Sequence, residues 1–149
     1  MLAKRWDVPA RHVDMLYAYV KADKAKQVDI YLRIPQGIFI TQEDVWKLGV
    51  TRKADMALQL KKSLYGLNQA GGLWIQLLHT KMEKNGFDRC ATVMCLYYKR
   101  VVGKMAIVAV YVGDLLVTLS TARLLKEFFS TMGMLSIKDL GDVRNFCAR

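Results

Sequence analysis

Two aspartates, Asp14 and Asp114, are the residues of this chain whose surroundings best suit metal chemistry. Asp14 lies in the apolar stretch Arg11–Tyr19, and Asp114 follows Gly113 within the β-branched run Met105–Leu119. The run predicts two buried strands joined by a Gly-Asp turn, with a single carboxylate at the tip of the hairpin. Because Mg²⁺ takes oxygen ligands and keeps several waters, two or three aspartates on adjacent strands can hold it. On spacing alone, the alternative is a strand-end acid at Asp14 and a turn former at Asp114.

The apolar pattern predicts the elements that would position these acids. The candidate strands are Arg11–Tyr19, Val28–Ile34, Ala54–Lys61, Met94–Val102, Lys104–Val112, Leu115–Leu119 and Leu135–Lys138. Two helices with one apolar stripe each are predicted at Asn68–Asn85 and from Ser120 or Thr121 to about Met132. Ile38–Lys53 is expected to be a long loop with a possible turn of helix, and Asp139–Asp142 a turn. This order predicts one α+β domain, an antiparallel sheet with two helices packed on one face.

Composition and charge favour a globular protein with a polyanionic partner. The chain has 149 residues, of which 53% are hydrophobic and only two are proline, so one domain with a real core is expected. Its 23 basic and 13 acidic residues give a net charge of +10, which favours nucleic acid ahead of an acidic membrane surface. No apolar stretch is long enough to span a bilayer, and the N-terminus is too polar for a signal peptide. We therefore expect no membrane partner and an intracellular location, cytoplasmic or nuclear.

The cysteines and histidines do not predict a disulfide framework or a zinc site. Cys90, Cys95 and Cys147 are odd in number and lack paired spacing, which favours buried or free thiols in a reducing compartment. Neither His12 nor His79 lies near a cysteine at zinc-ligand spacing, so no structural metal is expected.

One segment resembles a known family closely. Residues 61–70, KKSLYGLNQA, with Trp74 four residues on, are similar to the KSLYGLKQAPRxW signature of copia-type retrotransposon reverse transcriptases. Further segments resemble that family in order and spacing: VDMLYAY (13–19) for DVKTAFL, DIYLRIPQG (29–37) for ExYMxxPxG, CLYYKR (95–100) for CLYxK, YVGD (111–114) for YVDD, and IKDLGD (137–142) for MKDLGE. The resemblance covers nearly the whole chain, so residues 1–149 are expected to form a single partial palm domain, without fingers or thumb.

The resemblance implies an RNA-directed DNA polymerase with a palm-type sheet. Asp14 and Asp114 would be its catalytic acids and would hold Mg²⁺, or Mn²⁺ in its place. Its partners would be an RNA or DNA template-primer, deoxynucleoside triphosphates and the remaining segments of a larger polyprotein. The resemblance also predicts that Gly113 occupies the position of the first acid of the tip, which is a metal ligand in the family.

Three further positions would touch the substrates if the family's roles carry over. Tyr19 would lie beneath the incoming sugar and exclude a 2′-hydroxyl, Gln69 would lie beside the incoming nucleotide, and Tyr111 would touch the primer terminus. From the residues alone, the alternatives are a core tyrosine at Tyr19, a polar residue at a helix start for Gln69, and simple packing for Tyr111.

The basic pair Lys99-Arg100 is a candidate template contact. Beside Tyr97 and Tyr98, these cations could contact phosphates while the rings stack on bases. The alternative is a solvated hairpin end.

Two departures from the family's pattern lower the expected activity. Gly113 removes a charge from a site that must offset two dications, which should weaken metal binding and raise the barrier by several kcal/mol. Gly71 and Gly72 stand where the family has Pro-Arg, which removes a cation and costs the helix about 1 kcal/mol for each glycine relative to alanine. We therefore expect a weak or inactive enzyme. The alternative is a non-catalytic nucleic-acid-binding domain or a non-functional transposon relic.

Overall fold

A six-stranded antiparallel sheet forms the centre of the computed structural model, which describes residues 10–143. In chain order the strands are β1 Arg11–Met15, β2 Tyr31–Arg33, β3 Ala57–Gln59, β4 Asp88–Arg89, β5 Leu96–Val101, β6 Lys104–Tyr111, β7 Asp114–Leu119 and β8 Ile137–Asp142. The helices are α1 Ala18–Lys21, α2 Gln42–Lys47, α3 Ala70–Lys84 and α4 Ala122–Met132, with 3₁₀ turns at Lys53–Asp55 and Gly133–Leu135. The main sheet has the order β4-β5-β6-β7-β1-β8, while β2 and β3 pair separately.

Alternation along the strands defines the face of the sheet that carries the core. Val108 of β6 lies opposite Val117 of β7, and both are fully buried. Both long helices pack onto this face through Trp74, Leu78 and Met82 of α3 and Leu124, Phe128 and Met132 of α4. The predicted α+β class and the two predicted helices on one face are therefore confirmed.

The ends of the long helices follow local sequence signals. Thr121 caps α4, because its side-chain oxygen accepts a hydrogen bond from the Leu124 amide. After α3, Gly86 adopts a left-handed φ of 76°, and the Phe87 amide donates to the Met82 carbonyl. That bond, with Gly86 donating to Glu83, forms a Schellman motif that satisfies the last carbonyls of the helix.

Several predicted boundaries are wrong. The first strand ends at Met15 instead of Tyr19, because Tyr17 takes a left-handed φ of 57° and α1 begins at Ala18. Within residues 38–53, predicted as a loop with a possible turn of helix, the helix is present as the six-residue α2, and Thr41 caps it. The strands predicted at Val28–Ile34 and Ala54–Lys61 shorten to three residues each, and they form a sheet of their own.

The segment Asp139–Asp142, predicted to be a turn, belongs to strand β8. Arg11 of β1 binds the carboxylates of both residues, at 2.6 Å from Asp139 and 2.8 Å from Asp142. Burial raises the pKa of Asp139, but hydrogen bonds from Arg11 and the Gly141 amide, with the Arg11 charge, hold that pKa below its ordinary value. The paired carboxylate therefore stays ionised at neutral pH and joins β8 to β1 in extended conformation.

Two further findings bear on the predicted environment. Within residues 10–143, no helix has the length and hydropathy that crossing a bilayer requires. Cys90 and Cys95 are free thiols, as predicted, and Cys147 lies outside the described residues.

Replacing Gly71 or Gly72 with alanine should stabilise the fold. Both glycines lie in the first turn of α3, and an added Cβ would meet nothing within 4 Å at either position. Alanine restricts the unfolded chain, so each change should raise the free energy of unfolding by about 0.5–1 kcal/mol. Urea unfolding followed by circular dichroism measures it. Gly66→Ala is the matched control: Gly66 also has open space but a φ of +90°, so this variant should lose stability.

Candidate metal centre and nucleotide site

Asp14 and Asp114 lie directly opposite each other on neighbouring strands. They are register partners in the antiparallel pair of β1 and β7, and directly opposed residues project from the same face of a sheet. Their chain neighbours Val13 and Leu115 are fully buried under the helices. Alternation therefore places both carboxylates on the face opposite the helices, where both residues are half-buried.

The turn that presents Asp114 differs from the predicted one. Tyr111 pairs with Asp114, so the two turn residues are Val112 and Gly113, and Asp114 is the first residue of β7. The predicted turn Gly113-Asp114 is therefore wrong by one residue. Val112 has a left-handed φ of 54°, which costs a β-branched residue about 1–3 kcal/mol. The Gly113 carbonyl accepts a 2.7 Å hydrogen bond from the Met15 amide, which extends the β1–β7 pairing into the turn.

Gly113 faces Asp14 at close range. A Cβ at position 113 would lie 4.0 Å from Asp14 Oδ1, 3.6 Å from the Cβ of Ala18 and 3.3 Å from the Met15 carbonyl oxygen. An aspartate at this position would therefore place a third carboxylate next to Asp14, after a shift of a few tenths of an ångström.

His12 is a member of the site that the sequence analysis did not identify. Its Nε2 lies 2.7 Å from Oδ1 of Asp114. A hydrogen bond of this kind fixes the orientation of a carboxylate, as outer-shell partners do at metal sites. The signal was present in the sequence, because His12 and Asp14 are two residues apart on one strand and share a face.

Lys138 adds a positive charge to the same row of residues. It is the register partner of Asp14 on strand β8 and is exposed. The row across the sheet therefore runs Lys138, Asp14, Asp114 and Tyr111, one residue from each of four adjacent strands. Nothing in the linear sequence connects Lys138 with Asp14, since the pairing depends on the register of β8.

The acids suit a divalent cation chemically but form an incomplete ligand set. Carboxylate oxygens are the ligands that Mg²⁺ prefers. Within the described residues, however, no group of three or more His, Cys, Asp or Glu side chains is arranged to hold a metal ion. Asp14 and Asp114 provide two carboxylates, and Gly113, which faces Asp14, provides none.

The two candidate nucleotide contacts lie on neighbouring segments. Tyr19, on α1, packs partly against the core, and its ring centroid lies 4.5 Å from that of Tyr65. Gln69 is the half-buried residue at the start of α3, four positions after Tyr65. A 2.8 Å hydrogen bond from the Ser63 amide to the Ala22 carbonyl holds the two segments together.

The candidate primer and template contacts are separated. Tyr111 is 73% exposed in the row of acids. Lys99 pairs with Ala106, five residues along β6 from Tyr111 and thus about 17 Å away. The Lys99 ammonium donates to the Asn85 carbonyl at the end of α3 and lies over the Phe87 ring, on the helix side of the sheet. Arg100 stacks over the Tyr98 ring. The structure therefore does not bring this basic pair together with the acids.

Comparison with known proteins matches the chain to one family and to transposon proteins. Residues 1–148 match the family described as reverse transcriptase (RNA-dependent DNA polymerase). The chain is 31% identical over 118 residues to a transposon Ty5-1 protein of Saccharomyces cerevisiae, covering 78% of this chain and 35% of that protein. It is 27% identical over 142 residues to the retrovirus-related Pol polyprotein from transposon TNT 1-94 of Nicotiana tabacum, covering 94% of this chain and 10% of the polyprotein.

The chain thus spans roughly a third or less of these relatives' lengths, and no solved structure matches it. Since the family match extends over nearly every residue and both relatives are transposon proteins, the chain belongs to the reverse transcriptase family and is of the copia type.

Proposed function

We propose that the chain forms the palm of an RNA-directed DNA polymerase, with Asp14 and Asp114 as its catalytic acids. The direct pairing of these two acids on one face of the sheet is the observation that carries this proposal. Residues far apart in sequence, each carried over from a different family motif, thereby form one site.

In this proposal the reaction is attack of a primer 3′-hydroxyl on the α-phosphate of a deoxynucleoside triphosphate, with pyrophosphate leaving. Mg²⁺, bound by the carboxylates, would activate the hydroxyl and offset the triphosphate charge. Asp14 and Asp114 provide the negative charge that this site requires, and His12 orients Asp114 through the 2.7 Å contact. Exposed Lys138, beside Asp14, is placed to attract a phosphate. Tyr111 would support the primer end.

Tyr19 and Gln69 are the proposed contacts to the incoming nucleotide. The close approach of the Tyr19 and Tyr65 rings supports this assignment, because it fixes the ring that would exclude a 2′-hydroxyl. Lys99 and Arg100 would meet only a template strand that reaches the far end of the hairpin. Further segments of a Pol polyprotein would complete the substrate channel, and an intracellular compartment would keep Cys90 and Cys95 reduced.

We further propose that Gly113 makes this palm a weak catalyst. The position faces Asp14 and carries no charge, so the site has lost electrostatic stabilisation where the reaction needs it. Binding of nucleic acid without turnover is the second candidate function. The net charge of +10 and the exposed Lys138 favour it, since neither depends on Gly113.

Template-directed primer extension tests the proposal. With Mn²⁺ or Mg²⁺ the chain should extend a primed RNA template slowly, and a chelator should stop extension. The logarithm of the duplex binding constant, measured by fluorescence anisotropy, should fall linearly with the logarithm of the salt concentration. Affinity with this salt dependence but no extension, even when Gly113 is replaced by aspartate, would favour the binding function. If the chain neither binds the duplex nor extends the primer, both candidate functions are refuted.

A further inference from the structure

The side chain of Trp74 connects helix α3 to the turn that presents the acids. Trp74 is fully buried, and its indole Nε1–H donates a 2.8 Å hydrogen bond to the Val112 carbonyl. An indole N–H can only donate, and buried donors are almost always paired. The position of this carbonyl therefore matters to the core as well as to the turn.

Two hydrogen bonds, one from helix α3 and one from strand β1, hold consecutive peptide groups of the turn. Trp74 binds the Val112 carbonyl from α3, and the Met15 amide binds the Gly113 carbonyl from β1 at 2.7 Å. Between them, Val112 keeps a left-handed φ of 54°, which β-branched residues rarely adopt. An unfavourable backbone conformation persists only where its surroundings impose it, and here the surroundings are these two bonds together with the pairing of Tyr111 and Asp114 that closes the turn.

The conformation of the Val112-Gly113 turn sets the positions of the acids relative to one another. It directs position 113 toward Asp14, at 4.0 Å, and begins β7 at Asp114 opposite Asp14. A relaxed turn would move both positions relative to Asp14.

We propose that Trp74 is a positioning residue of this polymerase site, whose indole N–H holds the Val112-Gly113 turn in its left-handed form. Its meaning for catalysis rests on the proposed function, whereas its effect on the turn does not. Phenylalanine at this position keeps an aromatic ring in the core but removes the donor.

Amide hydrogen exchange in the otherwise unmodified chain gives the first test. Trp74→Phe should speed exchange of the Met15 amide about tenfold relative to the Ser120 amide. The Ser120 amide is the internal reference, because it donates to the Met105 carbonyl at the other end of the β6–β7 pair from the turn. If Trp74 served packing alone, loss of global stability would accelerate both amides together, and that result would overturn the proposal.

Two further variants sharpen this result. Adding Val112→Gly to Trp74→Phe should slow Met15 exchange again, because glycine adopts a left-handed φ freely. Trp46→Phe, which changes an indole that is 64% exposed on α2, is the matched control and should leave the ratio of the two rates unchanged. Failure of the glycine to restore protection would contradict the role assigned to the turn.

Mn²⁺ affinity in the Gly113→Asp background links the turn to the site. Measured by water-proton relaxation, it should fall about tenfold when Trp74→Phe is added, and recover with Val112→Gly. Unchanged affinity would show that the turn does not position the acids. If Gly113→Asp binds no Mn²⁺ at all, the proposed function fails, while the exchange rates still decide what Trp74 does.

Discussion

Gly113→Asp should increase primer extension about a hundredfold over the unmodified chain. The new carboxylate would extend from a Cβ that lies 4.0 Å from Asp14 Oδ1, giving the site three acids in place of two. One preorganised electrostatic contact is worth about 2.7–4 kcal/mol in a transition state, and each 1.4 kcal/mol changes a rate about tenfold. Single-turnover extension of a primed template with saturating Mg²⁺ measures the effect.

Gly113→Ala is the matched control for this variant. It adds the same Cβ, with the same 3.3 Å approach to the Met15 carbonyl, but no charge. Both variants should therefore lose a similar small amount of stability in urea unfolding, while only the aspartate gains activity. Equal gains from alanine and aspartate would show that turn rigidity, and not charge, limits the reaction.

Asp14→Asn in the Gly113→Asp background should abolish extension, with a loss of about a thousandfold or more. Asparagine keeps the shape of the side chain but removes the charge that lies next to both Asp114 and position 113. Because Asp14 is half-buried and faces away from the helices, the core and the melting temperature should change little. The same extension assay and a thermal unfolding curve separate the two effects.

Asp29→Asn is the control, because Asp29 is an exposed acid that binds Lys24 outside the site. It should leave the extension rate unchanged. Duplex affinity should be equal or slightly higher for Asp14→Asn, since a negative charge near the bound phosphates is lost. Extension that survives the Asp14 change would place the reaction elsewhere in the chain.

Periodic apolar patterns predicted most of the central fold. Strand β7 alternates half-buried and buried residues along its whole length, and β6 does so between its exposed ends. Helices α3 and α4 each carry one apolar stripe, so local sequence and tertiary packing agree there. The turn of the hairpin was misplaced because Gly-Asp has a favoured turn composition. The Tyr111–Asp114 pairing selects Val112-Gly113 instead, and the Trp74 bond holds the Val112 carbonyl in that turn.

Strand β8 shows the same conflict between local composition and tertiary contacts. Asp-Leu-Gly-Asp is typical of a turn, yet two ion pairs with Arg11 keep the segment extended. The prediction could not include them because they join residues at opposite ends of the described chain.

Part of the proposed site could be predicted from the sequence. Asp14 and Asp114 could be identified because each lies in a segment that resembles a motif of the family. Their pairing across β1 and β7 agrees with the expectation that acids on adjacent strands hold one metal ion. The spacing of His12 and Asp14 on one strand predicts that they share a face, but the contact of His12 with Asp114 and the pairing of Lys138 with Asp14 depend on the register of the strands. The separation of Lys99 from the acids could not be predicted for the same reason, because it depends on the register of β5 against β6.

Helix α3 is attached to the β5–β7 meander by two hydrogen bonds, one near each end of the helix. Trp74 binds the turn at Val112, and the Asn85 carbonyl binds Lys99 at the other end of the hairpin. The eleven helical steps from Trp74 to Asn85 rise about 16 Å, which matches the roughly 17 Å from Ala106 to Tyr111 along β6. The length of the helix between its two hydrogen bonds thus matches the length of the hairpin. One inserted residue would rotate either Trp74 or Asn85 by about 100° around the helix axis, away from its partner. The number of residues between Trp74 and Asn85 is therefore constrained by the length of the hairpin.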